Sequence, residues 1–471
     1  GNFKLTVSSG NATLQISFVG YQTQEISLNG KSSIAVTLKE DSEMLEEVVV
    51  IGYGSMNKRD VTTSIARVGG EELKDMPVTG FDQALVGKMA GVQITQTTGK
   101  PNGGTSIRVR GTGSITAGAD PLYVVDGVPL ERASSALETV DMNDVESIEI
   151  LKDASSAAIY GSRAAGGVVL VTTKQAKEGK ARIEYSGSYT YKMVGLQPEL
   201  MTMNEWANAV LQTCQNDGQP DSYSWVKYAK MALANEGKYI DLDHSANPFA
   251  PSYSDVMDFV FMDTNWQDVL FGNSYSTQHD LAVSGGTEKN LYRLSVGYMY
   301  DDSNLKWGNN NNQRFNLRSN ITSEMTSWLK GGVNLSFAHS MQNYPVSSDS
   351  KTSNVITAGR TMPGFYPIYE MNTDGSYKLD ENGDRIYDFG SYRPSGSMAN
   401  WNLPATLPLD KSERMKDEVS GRTFLEATII EGLKFKTSFN FDLINYNTLD
   451  YTNPKLGPAK ENGGGVSRMN T

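Results

Sequence analysis

From about residue 181 onward, the chain contains long stretches in which apolar and polar side chains alternate. In one such stretch Ile183, Tyr185 and Tyr189 alternate with Arg182 and Glu184. Successive side chains of a β-strand point to opposite faces, so this period predicts strands with one apolar and one polar face. The pattern predicts seven long strands, near residues 181–191, 277–285, 290–301, 312–322, 328–340, 417–429 and 433–446.

The connections between these predicted strands alternate in length. Tight turns at 285–290, 323–328 and 431–432 alternate with long segments at 192–276, 302–311 and 341–416. Two-faced strands of about ten residues, with short turns on one side and long loops on the other, are typical of an outer-membrane β-barrel. A soluble β-sandwich also alternates, but its strands are shorter, and tyrosines at the strand ends fit an interfacial aromatic girdle.

The number of strands bears on how much of a barrel is present. Plugged barrels have about 22 strands, and an open sheet edge in lipid leaves backbone groups unpaired at prohibitive cost. We therefore expect the chain to be the N-terminal part of a longer protein, with more than half of the barrel strands outside it.

Residues 60–178 follow a different pattern. Two predicted strands, Ser147–Leu151 and Gly167–Thr173, are joined by a segment of small residues, which allow close backbone packing. Ile107–Gly111 alternates apolar residues with arginine. This places Arg108 and Arg110 on one face, where enclosed guanidinium groups need acceptors.

The predicted acceptors are Glu146, Glu149, Asp153 or carboxylates of a barrel wall. Ordinary structural ion pairing is one interpretation of these charges. The other is a polar, breakable interface between this region and a surrounding barrel. Residues 82–88 predict a short helix in the same region.

The N-terminal residues predict a small β unit over 1–39, followed by an acidic segment at 40–47. Val48–Ile51 is an apolar, largely β-branched run that precedes Gly52 and Tyr53. Such a run can add a strand to the sheet edge of a partner protein. One more buried strand of this chain is the alternative.

Composition narrows the function classes. The 471 residues carry a net charge of -12, which argues against a nucleic-acid partner. The single cysteine, Cys214, excludes an intramolecular disulfide and is interpreted as a small buried residue. His244, His279 and His339 are too widely spaced to indicate a zinc site. No run of about 18 apolar residues predicts a transmembrane helix.

Motifs for catalysis or cofactors are missing from the sequence. No phosphate-binding loop, dinucleotide fingerprint or nucleophile elbow is found. Sugar cleavage needs two carboxylates flanking a site, whereas the Asp/Glu pairs here lie in linkers and turns. Residues 380–384 do not match a calcium loop and predict a hairpin turn. We expect no enzyme activity, no metal and no cofactor.

The long predicted loops carry the candidate recognition residues. Residues 202–215 and 222–236 predict helices, and we expect Trp206, Val210 and Leu211 to pack on the barrel. Residues 363–408 are rich in aromatic side chains that can stack on sugar rings or be covered by a partner protein. These candidate contacts are Tyr366, Tyr369, Tyr377, Tyr392 and Trp401.

Three motifs in a fixed order carry a family resemblance: Gly103–Ser114, Pro121–Leu130 and residues 143–174. With them, the chain resembles the plug domain of a TonB-dependent outer-membrane transporter of the SusC-like subgroup. The resemblance implies a mainly β fold, with an α+β plug followed by the first strands of a transmembrane antiparallel barrel. It divides the chain into the end of a carboxypeptidase-regulatory-like, immunoglobulin-type domain (1–39), a linker (40–59), the plug (60–178) and the barrel (179–471).

The resemblance also implies functional residues. The TonB box, the handle by which the energy-coupling protein TonB and its ExbB/ExbD motor pull on the plug, would be Val48, Val49, Val50, Ile51, Gly52 and Tyr53. The implied plug motif and plug–barrel interface consist of Arg108, Arg110, Gly111, Asp126, Gly127, Glu149, Lys152, Asp153, Tyr160, Gly161 and Arg163.

The implied function is import of an oligosaccharide across the outer membrane of a Gram-negative bacterium, with a SusD-like lipoprotein at the surface. The N-terminal domain and TonB box would be periplasmic, the barrel would contact outer-membrane lipid, and the long loops would be extracellular. Import of oligopeptides, or of a siderophore or cobalamin, is the alternative within the fold. A secreted carbohydrate-binding or carbohydrate-cleaving β protein is the alternative from another class.

Overall fold

The structure is a computed structural model. It describes residues 13–18, 21–28, 34, 36–38, 48–51, 54–57, 65–74, 78, 80–96, 101, 105–111, 120–130, 140–153, 157–234, 239–242, 257–260, 263–345, 355–364, 366–372, 374, 376–389, 402–455 and 463–471.

Two separate hairpins precede the plug. Strand β1 (Thr13–Phe18) pairs antiparallel with β2 (Tyr21–Ser27). Strand β3 (Val48–Ile51) pairs antiparallel with β4 (Gly54–Asn57). The backbone of Val48–Ile51, the described part of the predicted TonB box, is thus extended and paired with Gly54–Asn57.

The plug combines a five-stranded sheet, a separate hairpin and short helices. Its elements are β5 (Ile65–Gly69), α1 (Glu71–Lys74), α2 (Phe81–Ala84), β6 (Val92–Gln96), β7 (Thr105–Val109), β8 (Leu122–Val125), β9 (Val128–Pro129), β10 (Val145–Leu151) and β11 (Val168–Thr173). The sheet order is β5–β10–β11–β8–β9, with β11 parallel to β8, and β6 pairs with β7. Two 3₁₀ turns, Met142–Asp144 and Ala158–Ala164, flank β10.

Both faces of the plug sheet are buried. Tyr123 and Val125 of β8 join one apolar cluster, whereas Leu122 and Val124 join a second cluster with Tyr160. The alternation follows from the period of two along a strand. Every residue of these two clusters lies between positions 66 and 171, so the plug has its own apolar core.

The remainder of the chain builds one large sheet and the segments that connect its strands. Its elements are β12 (Gly179–Lys192), α3 (Met203–Asn216), α4 (Ser224–Ala234), β13 (Tyr239–Leu242), β14 (Met257–Val260), α5 (Trp266–Leu270), β15 (Ser274–Gly286), β16 (Asn290–Asp302), β17 (Asn311–Glu324), β18 (Leu329–Tyr344), α6 (Val355–Thr361), α7 (Leu403–Thr406), β19 (Lys411–Ile430), β20 (Leu433–Thr452) and β21 (Gly465–Asn470). The sheet order is β12–β15–β16–β17–β18–β19–β20–β21, and every neighbouring pair is antiparallel.

The two faces of this sheet have opposite chemistry. The face turned away from the plug exposes large apolar side chains, among them Leu294, Leu317 and Phe439. The face turned toward the plug buries polar ones, including Arg314 and Asn320. A sheet in water places its apolar face against a core, so this inverted arrangement is that of a barrel wall in lipid. Among the described residues, none of the helices has the length and apolarity needed to cross a membrane.

The predicted fold class is confirmed, with two differences in detail. An eighth strand, β21, follows the seven that the sequence predicts. The second difference concerns Trp206, which we expected to pack on the wall. Together with Val210 and Leu211, it packs against an apolar cluster built from the connecting segments, in which Trp206 meets Trp225 edge to face at 6.0 Å.

Candidate functional site: the plug–wall interface

Asp126 is the central plug residue of the interface with the barrel wall. It occupies the turn between β8 and β9 with a left-handed φ of 49°, and Gly127 follows with a φ of 81°. An Asp-Gly pair suits a two-residue hairpin turn with both φ values positive. The Asp126 carboxylate accepts hydrogen bonds from Thr173, at 2.9 Å from its backbone nitrogen and 2.7 Å from its hydroxyl.

The same carboxylate also contacts the wall. Arg318 of β17 donates to Asp126 Oδ2 at 3.0 Å. Arg422 of β19 donates to the Asp126 backbone carbonyl oxygen. One turn of the plug is therefore held by guanidinium groups from two strands.

A second contact lies at the 3₁₀ turn before β10. Asp141 caps this turn by accepting from the Asn143 backbone nitrogen at 2.8 Å. Gln278 Nε2 on β15 donates to both carboxylate oxygens of Asp141, at 3.1 and 3.0 Å. Arg314 of β17 lies 3.9 Å from the same carboxylate.

Asp144, one turn later, completes this second contact. It pairs with Arg293 Nη2 of β16 at 3.0 Å and accepts from the Ser295 hydroxyl. The Asp144 and Arg293 side chains are 9% and 8% exposed. A buried charge needs a charged, hydrogen-bonded partner, so plug and wall satisfy each other's charges.

Further hydrogen bonds extend the interface. Asn143 donates to Asp280 of β15 at 2.5 Å, and Asn320 of β17 donates to the Lys174 backbone oxygen at 3.3 Å. Gln342 of β18 donates to the Pro101 backbone oxygen at 2.5 Å. Neither apolar cluster of the plug includes a wall residue among those described. Separation of plug and wall would therefore break polar contacts without opening an apolar core.

Several predicted interface residues instead make contacts inside the plug. Arg110 pairs with Asp153 at 2.6 Å, as expected, but Arg108 pairs with Asp120 rather than with Glu146 or Glu149.

The other charged members of the predicted set behave similarly. Glu149, 2% exposed, faces Arg67 of β5 at 3.4 Å, since both lie on paired plug strands. Lys152 donates to the Ala90 backbone oxygen, and Arg163 is exposed.

The remaining predicted plug residues either adopt a left-handed backbone conformation or pack in the plug core. Gly111 and Gly161 have positive φ values of 94° and 68°. Tyr160 is buried in the second apolar cluster. Of the predicted set, Asp126 and Gly127 are brought against wall residues by the described contacts.

Sequence reasoning missed most of the interface. The missed residues are Asp141 and Asp144 in the plug and Arg293, Arg314, Arg318 and Arg422 on the wall. Arginines on the polar face of several predicted strands were a usable signal, because a polar face in a barrel looks inward. The pairing itself joins residues more than a hundred positions apart.

The loop tyrosines divide into buried and surface positions. Tyr366 is completely buried in the apolar cluster of the connecting segments, so its proposal as a substrate or lid contact is wrong. Tyr369 and Tyr377 meet edge to face at 5.7 Å, and the Arg385 guanidinium lies 4.1 Å from the Tyr377 ring. Tyr392 and Trp401 lie outside the described residues, as do Gly52 and Tyr53 of the predicted TonB box.

Family comparisons agree with this geometry. The TonB-dependent Receptor Plug Domain family matches residues 57–168, and the CarboxypepD_reg-like domain family matches residues 1–50.

Named relatives match over most of the chain. TonB-dependent receptor SusC of Bacteroides thetaiotaomicron is 33% identical over 432 residues, which is 90% of this chain and 38% of that protein. TonB-dependent receptor P3 of Formosa agariphila is 31% identical over 451 residues, or 94% of this chain and 39% of the relative. This chain thus spans about two fifths of the length of these relatives.

A solved structure agrees as well. The RagAB peptide importer in its open-open state superposes with a TM-score of 0.65 at 29% identity, covering 86% of this chain and 43% of that one.

A self-contained plug seated on the polar face of an antiparallel sheet, whose other face is apolar, defines a plugged outer-membrane receptor. The matches to both domain families and to receptors over most of the chain make the assignment specific. Over most of its length the chain is similar to SusC-like TonB-dependent receptors.

Proposed function

We propose that the full-length protein imports an oligosaccharide across the outer membrane of a Gram-negative bacterium, driven by TonB and its ExbB/ExbD motor. The polar plug–wall interface carries this proposal. Force on the plug has to break ion pairs such as Asp144–Arg293, while the apolar plug core and the hydrogen-bonded wall are left intact. The work is binding and conformational change, and no covalent bond is made or broken.

The β3–β4 hairpin is the proposed handle. Val48–Ile51 offers an extended backbone that can exchange its pairing with β4 for pairing with a TonB strand. The hairpin ends at Asn57, eight positions before Ile65, where β5, the first strand of the plug sheet, begins. Tension applied there enters the plug at an edge strand of its sheet. The N-terminal domain and the hairpin are periplasmic in this proposal.

The connecting segments on the opposite side are the proposed docking surface for a SusD-like lipoprotein. Helices α3 to α7 build an apolar cluster of their own around Trp266 and Tyr366. A surface with its own core can hold a partner or substrate without disturbing the wall. Tyr369 and Tyr377 remain candidate contacts on it.

An oligopeptide is the second candidate substrate. The structural likeness to a chain of the RagAB peptide importer, at a TM-score of 0.65, favours it. The likeness to SusC favours the glycan. A siderophore is less well supported, because the match to the probable siderophore receptor PirA of Acinetobacter baumannii covers 33% of this chain. A secreted carbohydrate-active protein is disfavoured by the exposed apolar face of the sheet.

Deletion of residues 48–53 from the full-length protein in its native host tests the proposal. Growth and uptake would be compared with wild type across glycans, peptides and chelated metals. We expect the deletion to abolish uptake of one nutrient while its binding at the cell surface is retained. A deletion of the same length in the acidic linker, residues 41–46, is the matched control and should retain uptake.

Two results would contradict the proposal. Unchanged uptake of a nutrient that requires the gene would remove the TonB-box assignment and the pulling mechanism. Dependence on peptides alone would replace the glycan by the second candidate substrate.

A further inference from the structure

A cavity of about 680 Å³ lies between the Asp126–Gly127 turn and the inner face of the wall. The plug contributes Tyr160 and Gln175 to it, and the wall contributes Asn320 and Asn334. The volume falls in the range of ordinary small-ligand pockets, about 300–1,000 Å³. We name it the wall cavity.

The wall side of this cavity is cationic. Among its described lining residues, four are cations (Lys330, Arg422, Lys434 and Lys436) and two, Asp126 and Glu426, are carboxylates.

The cations are concentrated around one carboxylate. Lys330, Glu426 and Lys436 stand opposite one another in adjacent strands, so they share one row of the inner face. Glu426 is 3.1 Å from Lys434 Nζ and 3.6 Å from Lys436 Nζ. One carboxylate therefore faces several ammonium groups, and the patch retains excess positive charge.

An aromatic ring lies within this charge. Phe424 points into the wall cavity, with the Arg422 guanidinium 5.8 Å and Lys436 Nζ 4.8 Å from the ring centroid. An aromatic face can stack against the apolar face of a sugar ring, and the neighbouring cations can hold a carboxylate or sulfate on that ring.

Unused hydrogen-bonding capacity points the same way. Arg422 Nε and Asn320 Oδ1 are buried and have no hydrogen-bond partner among the residues that the structure describes. A buried polar atom without a partner is destabilising, so a ligand that supplies the missing partner is favoured. A hydroxyl of a bound sugar can donate to Asn320, and its anionic group can accept from Arg422.

We propose that the wall cavity is a binding site for an acidic sugar residue, and hence that the imported oligosaccharide carries carboxylate or sulfate groups. This inference rests on the proposed function. In the resting state the Asp126 carboxylate holds Arg318, and its backbone oxygen holds Arg422. When the plug moves, both guanidinium groups lose these acceptors and become available to the anionic groups of the passing cargo.

Chemical modification of lysines in the purified full-length protein, in the absence of TonB, tests this proposal. Pyridoxal phosphate carries a phosphate and an aldehyde that forms a reducible imine with lysine, whereas pyridoxal lacks the phosphate. After borohydride reduction, mass spectrometry would quantify label at Lys330, Lys434 and Lys436. Lys411 is the internal control, because it is not among the residues that line the cavity and it pairs with Glu413 at 2.9 Å.

The expected result is several-fold preference of pyridoxal phosphate over pyridoxal at the three cavity lysines and no preference at Lys411. An oligogalacturonate should protect the cavity lysines, and a maltooligosaccharide of equal length should not. Phe424→Leu should keep the phosphate preference but lose protection by the oligogalacturonate, which separates the aromatic contribution from the charge.

Three outcomes would overturn the inference: equal labelling by both reagents, equal protection by both saccharides, or protection by an oligoglutamate but not by the oligogalacturonate. If the labelling contradicts the acidic-sugar site, the expected effect of deleting residues 48–53 on uptake is unchanged. If that deletion does not stop uptake, the expected labelling of the cavity lysines is unchanged. The two proposals can therefore fail separately.

Discussion

Asp126 of the plug accepts a hydrogen bond from Arg318 of the wall at 3.0 Å, and the two side chains are 7% and 8% exposed. The partners are 192 residues apart in sequence. Because this carboxylate also accepts two hydrogen bonds from Thr173, the wall contact is connected to the last residue of the plug strand β11.

Removing the charge of Asp126 or of Arg318 should weaken the contact between plug and wall. Asp126→Asn or Arg318→Gln leaves the other charge buried without its partner, which costs about 3–5 kcal/mol. The double variant should cost less than the sum, with a coupling of about 0.5–3 kcal/mol. Amide hydrogen exchange across β8 and β11 in the full-length protein measures these losses. Strictly additive losses would mean that the pair does not couple plug to wall.

The wall was largely predictable from sequence because its signal is local. The alternation through Leu294, Val296 and Tyr298 predicted a strand at 290–301, and β16 runs from Asn290 to Asp302. Strands β19 and β20 extend further than predicted, because their backbone pairing continues through Lys411 opposite Tyr451. The predicted ends followed the side-chain pattern, which does not report how far two backbones stay paired.

The interface was not predictable for a physical reason. Asp141 and Gln278 are 137 positions apart, and Asp144 and Arg293 are 149 apart. Which carboxylate meets which guanidinium depends on how the plug sits in the wall. Tyr366 shows the same limit, since helices distant in sequence bury it.

Gly127 should be less replaceable than Gly111. Both have positive φ values, 81° and 94°, so alanine costs each about 1–2 kcal/mol. A Cβ at Gly127 would also run into the Arg422 guanidinium, whereas a Cβ at Gly111 meets open space.

Gly127→Ala should therefore displace Arg422 and raise exchange at the Asp126 turn beyond the effect of Gly111→Ala on its own turn. Hydrogen exchange of both variants in parallel provides the comparison. Equal losses would show that the Arg422 contact adds nothing to the seating of the plug.

Tyr366 and Tyr377 should respond differently to truncation. Tyr366→Ala removes a fully buried ring from the loop cluster and should cost about 3–5 kcal/mol, as for other large aromatic deletions. Tyr377 is 39% exposed and contacts Tyr369 and Arg385, so Tyr377→Ala should change stability by less.

Tryptophan fluorescence of the folded loops, with Trp206 and Trp266 in the cluster, measures the first effect. The same measurement on Tyr377→Ala gives the second effect, and uptake of the cargo by that variant tests whether the ring contacts substrate or lid. If Tyr377→Ala destabilises the loops as much as Tyr366→Ala does, its ring is structural rather than a surface for substrate or lid.

Helix α3 should weaken in acid because of Glu205. The Thr202 backbone nitrogen and hydroxyl each donate to the Glu205 carboxylate at 2.9 Å, and in that order they lower the pKa of Glu205 below its ordinary 4.5. A carboxyl whose pKa is lower in the folded state stabilises that state above the unfolded pKa, and the contribution is lost as pH falls through the folded value.

Hydrogen exchange of the Glu205 and Trp206 amides, corrected for intrinsic rates, should therefore show protection falling below pH 4.5. Glu205→Gln should start lower and stay flat across the same range, because its amide does not titrate. A wild-type profile parallel to that of Glu205→Gln would mean that the carboxylate does not hold the first turn of α3.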